Sequence, residues 1–278
     1  KDLPFVKTLF FWNLVSNIYY KGVQVRARYH GDGIKIGPES PEAFEELIWK
    51  DFIINYEKTG FFTLLSKNYN NNKFEKFYCN QIKKIMHIRG NKTRYLSKGN
   101  YNIFRVDYIK KIFPDAKIII CFRDPIESAI SSVNVHNNFL SLSKNNKYFN
   151  KILNYLCHFE FGKSRKPIDV EEFNFEKNSF EEDYYYYLSQ WYKTYSLVTK
   201  YYINLRDVIF VNNQTMIENP KFIEILFKKL DLNEKFTLNK VFKKKSINKT
   251  YNFETPNKLY DLYNKLNYLE KNTLFANE

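Results

Sequence analysis

The run Ala116–Phe122 (AKIIICF) is the feature that most narrows the folds open to this chain. It is far shorter than the roughly 18–20 apolar residues that a membrane span needs. A short continuous run of this kind suits a strand buried on both faces, as in a parallel sheet flanked by helices. On that reading Cys121 is a buried small hydrophobe. The residues just after the run are equally constraining. Arg123 comes first, and then Asp124-Pro125-Ile126-Glu127 supplies a cap, a first-turn proline and an acid in the positive end of a helix. The helix is predicted to continue to about His136.

The rest of the chain repeats the theme. Val208–Val211, within Arg206–Asn212, reads as a second buried strand, and Asn219-Pro220 opens a helix through Leu230. Ser40-Pro41-Glu42-Ala43 opens another, running to about Phe52, with Ser40 as cap and acids at the positive end. Asn102–Ile112 has the spacing of an amphipathic helix, and Arg94–Lys98 that of a short strand. Tyr148–Phe161 and Asp183–Ile203 read as aromatic-rich helices, with Tyr184–Tyr187 and Trp191 at core spacing. From Leu232 onward the chain is polar and lysine-rich, and is expected to form a helix or loop wrapping the surface. The alternation of strand and helix predicts an α/β fold with a mostly parallel sheet flanked by helices. With 278 residues and no clear linker, a single domain over 1–278 is expected.

Composition excludes more than it assigns. Three cysteines, Cys79, Cys121 and Cys157, form no CxxC or Cys/His cluster, so no structural zinc is expected and a cytoplasmic setting is the default. The formal charge of +14 permits an anionic partner, but Lys, Asn, Tyr, Phe and Ile are all abundant, and compositional drift explains most of the excess. Lysine far outnumbers arginine, which makes each arginine the more informative cation. No recognisable nucleic-acid module is present, and a basic nucleic-acid binder ranks last among the readings.

Ligands of open parallel sheets collect at the carboxyl ends of the strands, where Arg123 sits. Ser131 lies about two turns along the following helix, at ~1.5 Å per residue. A guanidinium fork and a hydroxyl suit a terminal phosphate. Spacing leaves equal room for Arg123 to pair with Asp124 or Glu127 while Ser131 packs.

The string KKIFPDAKIIICFRDPIESAISS (residues 110–132) resembles the 3′-phosphate-binding segment of the sulfotransferase family. KDLPFV, HGDGIKIGPESPEAFEELIW, YLSKGNYNIFR, CHFEFG, YYYYLSQWYKTY and VIFVNNQTMIENPKFIEILFKKL are similar, in order, to blocks of a bacterial-type branch. The resemblance implies a P-loop-kinase-like fold and 3′-phosphoadenylyl sulfate as sulfuryl donor, with no metal. It implies that Arg123 and Ser131 hold the donor's 3′-phosphate and that Lys98 balances charge on the transferring group. The acceptor is then a hydroxyl or amine on a glycan, lipid, peptide or small molecule.

The family opens with a strand, a Gly/Ser/Thr loop for the 5′-phosphosulfate and a helix. This chain begins at Lys1 where that helix would have ended, so an N-terminally truncated domain is expected, lacking its first strand, loop and helix. Where one branch carries a histidine two residues past the strand-end lysine, this chain has Asn100, which takes up no proton at neutral pH. The base is then sought at Asp2, which resembles the acidic base of other branches, or at His30 oriented by Asp32. His136 reads as a helix-end cation, and His158 as a packed ring beside Phe159 and Phe161. The alternative to an enzyme is a degenerate relative that binds nucleotide or a partner without transferring sulfate.

Overall fold

The computed structural model describes residues 26–28, 30, 35–36, 45–53, 64–88, 90, 94–146, 148–168, 179–232 and 256–275. Its elements fall into two compact units, one of residues 1–108 with 134–169, the other of residues 109–133 with 170–278.

In the first unit β1 (Arg26–Ala27) pairs antiparallel with β2 (Lys35–Ile36). Helices α1 (Glu45–Phe52) and α2 (Asn72–Ile88) follow, then a 3-10 turn at Asn100–Phe104 and α3 (Val106–Ile112). The core gathers on Trp49, with ring centroids of Phe74, Tyr78 and Tyr108 at 4.4, 5.4 and 6.2 Å. Arg105 is 1% exposed, lies 4.4 Å over the Trp49 ring, and forks onto Glu46. A guanidinium is rarely buried so completely unless it is both paired and stacked.

That arginine explains two departures from the sequence reading. Asn102–Ile112 is not one helix: Arg105, at φ −129°, separates the 3-10 turn from α3 so that its side chain can enter the core. Arg94–Lys98 forms no strand. Tyr95 and Ser97 instead donate to the two carboxylate oxygens of Glu45, so side chains anchor a segment that has no strand partner.

Among the described residues the parallel sheet has two strands, both in the second unit. β3 (Ile118–Phe122) and β4 (Val208–Asn212) run in register from Ile118–Val208 to Phe122–Asn212. Parallel pairing demands a long crossover, and α4 (Pro125–Asn145), α5 (Phe149–Tyr155) and α6 (Ser179–Tyr201) lie in it. All five β4 residues are buried, whereas β3 buries Ile120 and Phe122 and exposes Cys121. The expected burial of Cys121 fails because β3 alternates, as a strand with one covered face does.

The α4 start is as read: Asp124 Oδ1 accepts the Glu127 N–H at 2.9 Å. The helix runs nine residues past His136, to Asn145. The aromatic segment after it is helical only over Phe149–Tyr155, and Cys157 takes a positive φ of 59° where the chain turns.

After β4 come α7 (Asn213–Glu218), α8 (Phe222–Lys229) and α9 (Asn257–Leu274). The polar C-terminal stretch thus contains a helix with a buried stripe, Leu259, Leu262, Leu266, Leu269 and Leu274. The spacing of three to five residues is that of one helix face. Leu274 joins Ile209, Val211, Phe222 and Ile225 in one apolar cluster. On the same helix Glu270 accepts the Asn212 N–H at 2.6 Å and the Thr215 hydroxyl at 2.8 Å, pinning α9 to the end of β4.

Candidate functional site

Arg123 leaves the end of β3, where a parallel sheet presents its ligands. Its backbone is fixed by the Trp191 indole, which donates to the Arg123 carbonyl at 3.1 Å. The side chain, 32% exposed, lies against Glu127, with Nε at 3.0 Å and Nη2 at 2.9 Å from the same carboxylate oxygen. Ser131 follows Glu127 by four residues in α4, so the three share one stripe of the helix surface. The pairing with Glu127 that spacing left open is the one present. It keeps the fork extended beside the helix but offers it a carboxylate.

The second cluster lies in the first unit and starts from Lys98. Its ammonium donates to Asn100 Oδ1 at 2.7 Å, and Asn100 Nδ2 donates to Glu160 Oε1 at 3.1 Å. The other Glu160 oxygen stands 3.8 Å from His158 Nδ1. Tyr101 adds its hydroxyl to Glu160 and accepts the Phe159 N–H at 3.0 Å. Burial alone would raise the Glu160 pKa. The donors around it (His158, then Asn100 and Tyr101) outweigh burial and hold it below the usual carboxylate range. Burial, and then the charge of Glu160, push the Tyr101 phenol far up, so it remains a donor. The result is an ionised carboxylate with a cation relayed to one oxygen and a 42% exposed imidazole on the other.

Other residues singled out in the sequence fall elsewhere. His30 is half-buried with its ring edge-on to Phe139 and Phe161, at centroid distances of 5.5 and 6.5 Å. Asp2 and Asp32 lie outside the described residues. His136 is a buried ring inside α4 and caps nothing. Its Nδ1 accepts the Gly162 N–H at 3.1 Å, and Arg165 Nη1 stands 3.3 Å from Nε2. With Nδ1 accepting, a neutral ring carries its proton on Nε2. Arg165 is then a neighbour rather than a donor to it. Tyr184, Tyr185, Tyr187 and Trp191 are buried as read.

The sequence reading took His158 for a packed ring, whereas its side chain is 42% exposed and faces Glu160, a residue that reading passed over. The signal was present in Asn100: an amide in place of a base near the lysine must be met by a base from elsewhere. The block CHFEFG holds both an imidazole and a carboxylate.

Residues 63–159 match the model of the sulfotransferase family. The matched stretch contains Lys98, Asn100, Arg123, Ser131 and His158 and ends next to Glu160. No curated protein and no solved structure matches the chain. Among the described residues no group of His, Cys, Asp and Glu is placed to hold a metal ion, and no helix is long and apolar enough to cross a membrane.

Proposed function

We propose that this chain, whose residues 63–159 match the sulfotransferase family model, is a sulfotransferase that moves a sulfuryl group from 3′-phosphoadenylyl sulfate to an acceptor hydroxyl or amine. The observation that carries this reading is the relay from Lys98 through Asn100 and Glu160 to His158. Sulfuryl transfer needs a base for the acceptor proton and a cation for the charge that develops on the leaving oxygen. The relay holds one of each on a single ionised carboxylate.

In the proposed step the acceptor oxygen or nitrogen forms a bond to sulfur. The bond between sulfur and the donor's bridging phosphate oxygen breaks, and adenosine 3′,5′-bisphosphate leaves. Lys98 donates to the bridging oxygen. His158 takes the acceptor proton on Nε2, its Nδ1 side held by Glu160. Arg123 and Ser131 hold the donor's 3′-phosphate, with Arg123 exchanging Glu127 for phosphate. This places the base at His158 in preference to His30, whose ring is packed between two phenylalanines, and to Asp2. A P-loop-kinase-like arrangement of one domain is part of the same reading, supported by the parallel pair β3–β4 and the phosphate-suited Arg123 at its end.

The test is release of adenosine 3′,5′-bisphosphate from the donor with a panel of hydroxyl and amine acceptors. His158→Asn should lower kcat by about 10²–10⁴-fold, and Lys98→Ala by about 10²–10³-fold. Turnover that survives both substitutions would overturn the assignment. Tight bisphosphate binding with no turnover on any acceptor would favour the non-catalytic relative.

A further inference from the structure

A ring on α9 stands behind the backbone that carries Arg123. Trp191 and Tyr195, one turn apart on α6, donate to the carbonyls of Arg123 and Cys121 at 3.1 and 2.8 Å. Two side-chain donors thus hold the chain at the point where Arg123 leaves β3. The indole is backed in turn by Tyr263, whose ring lies edge-on to Trp191 and to buried Phe122 at centroid distances of 6.5 and 6.0 Å. Both distances are those of favourable aromatic pairs.

Tyr263 is itself anchored. Asn212, buried at the end of β4, donates Nδ2 to the Tyr263 hydroxyl at 3.0 Å and to Asn267 Oδ1 at 2.7 Å. Its backbone N–H goes to Glu270 at 2.6 Å, and its Oδ1 accepts the Gln214 N–H at 2.9 Å. Tyr263, Asn267 and Glu270 are spaced by four and three residues, so one face of α9 meets one asparagine. Phe122 is the register partner of Asn212. The path from Asn212 through Tyr263 and Trp191 to Arg123 therefore closes on itself through the sheet. Every member lies in the second unit, and Trp191, Asn212 and Tyr263 lie outside the matched residues 63–159.

We propose that Tyr263 is a positioning residue for Arg123: by backing Trp191 it fixes the Arg123 carbonyl, and with it the direction in which the guanidinium leaves β3. That the ligand of Arg123 is the donor's phosphate rests on the sulfotransferase reading; the hold on Arg123 does not. A guanidinium grips phosphate through two parallel N–H bonds, a geometry that needs a fixed root. A fork rooted in advance gives up less freedom on binding. The C-terminal helix α9 thereby supports the donor site without touching the donor.

Two measurements on the full chain test this. The first needs no ligand: solvent exchange of the Trp191 indole N–H, followed by NMR and assigned with Trp191→Phe. Tyr263→Ala should speed that exchange about tenfold, and Tyr263→Phe, which keeps the ring, should stay within about twofold of wild type. The second is calorimetric titration with adenosine 3′,5′-bisphosphate. Tyr263→Ala should weaken binding about fivefold, the scale of one hydrogen bond made loose, with Tyr263→Phe again near wild type. The donor KM should rise in step while kcat at saturating donor holds. In an Arg123→Ala background Tyr263→Ala should cost nothing further, because the group it positions is gone. Leu274→Ala, a cavity at the far end of the same helix, should lower the melting temperature and leave both readouts unchanged.

Three results would overturn the proposal: unchanged indole exchange in Tyr263→Ala, an equal loss in Leu274→Ala, or a Tyr263→Ala loss that persists in full without Arg123. The two readings fail separately. Faster indole exchange in Tyr263→Ala, with no bisphosphate bound by the wild type, sinks the donor reading and leaves Tyr263 holding Arg123. Binding that falls in Arg123→Ala but not in Tyr263→Ala, with exchange unchanged, does the reverse.

Discussion

Asn100 donates its side-chain amide to Glu160 at 3.1 Å while its own carbonyl oxygen receives Lys98 at 2.7 Å. An amide does both because its two ends differ, one donor and one acceptor, so it can stand between an ammonium and a carboxylate. Asn100 is exposed and contributes no burial, which makes it a positioning residue. Asn100→Ala should lower kcat about tenfold by letting Lys98 wander, with the donor KM and the melting temperature little changed. A fall in melting temperature that tracks the fall in kcat would mark a structural role instead.

Glu127 competes with phosphate for Arg123. The pair is about a third to a half exposed, so breaking it costs little, of the order of 0.5 kcal/mol. The gain from removing a negative charge beside an incoming phosphate is larger. Glu127→Gln should therefore bind adenosine 3′,5′-bisphosphate several-fold more tightly, and Arg123→Ala about tenfold or more weakly. Calorimetric titration decides it: unchanged affinity in Arg123→Ala removes this stripe of α4 from the donor site.

Arg105 and Glu46 tie α1 to the start of α3. Burial raises the Glu46 pKa and the Arg105 charge lowers it, with burial the larger effect. Removal of one partner takes away the opposite charge that offsets the burial of the other, a loss of about 3–5 kcal/mol. Arg105→Ala and Glu46→Ala should each cost that much in urea unfolding. The double variant should cost less than the two losses added, because neither charge is then stranded. Additive losses would show that the pair is not coupled.

The parts of the fold legible in the sequence were those set by local chemistry. The apolar runs at Ile118–Phe122 and Val208–Asn212 mark strands because little else absorbs such runs, and Asp124 with Pro125 marks a helix start because both fit only there. What escaped depended on partners distant in the chain. Arg105 breaks Asn102–Ile112 through Glu46 and Trp49, which lie more than fifty residues earlier. The leucine stripe of α9 was masked by the lysines and asparagines between its members. In the site, Arg123 and Ser131 stand out by spacing on one helix. The His158–Glu160 pair joins Lys98 across about sixty residues, a distance that no local pattern spans.

Glu160 also makes a signed prediction about acid stability. Its pKa is lowered below the ordinary 4.5 because the gains from His158, Asn100 and Tyr101 exceed the burial penalty. A carboxyl that ionises more readily folded than unfolded contributes stability above the unfolded value and loses it as pH falls through the folded one. Asp124, Glu46 and Glu270 are raised by burial and act with the opposite sign: each loses folded-state advantage as pH rises past its ordinary range. The acid limb of the intact protein is therefore a sum of opposed effects, and the informative quantity is a difference. The melting temperature of the wild type should exceed that of Glu160→Gln most clearly near pH 6–7. The gap should shrink as pH falls below 4.5, where Glu160 takes up its proton. A gap that stays constant or widens in acid would mean that the Glu160 charge does not support the fold, and the relay to His158 would lose its anchor.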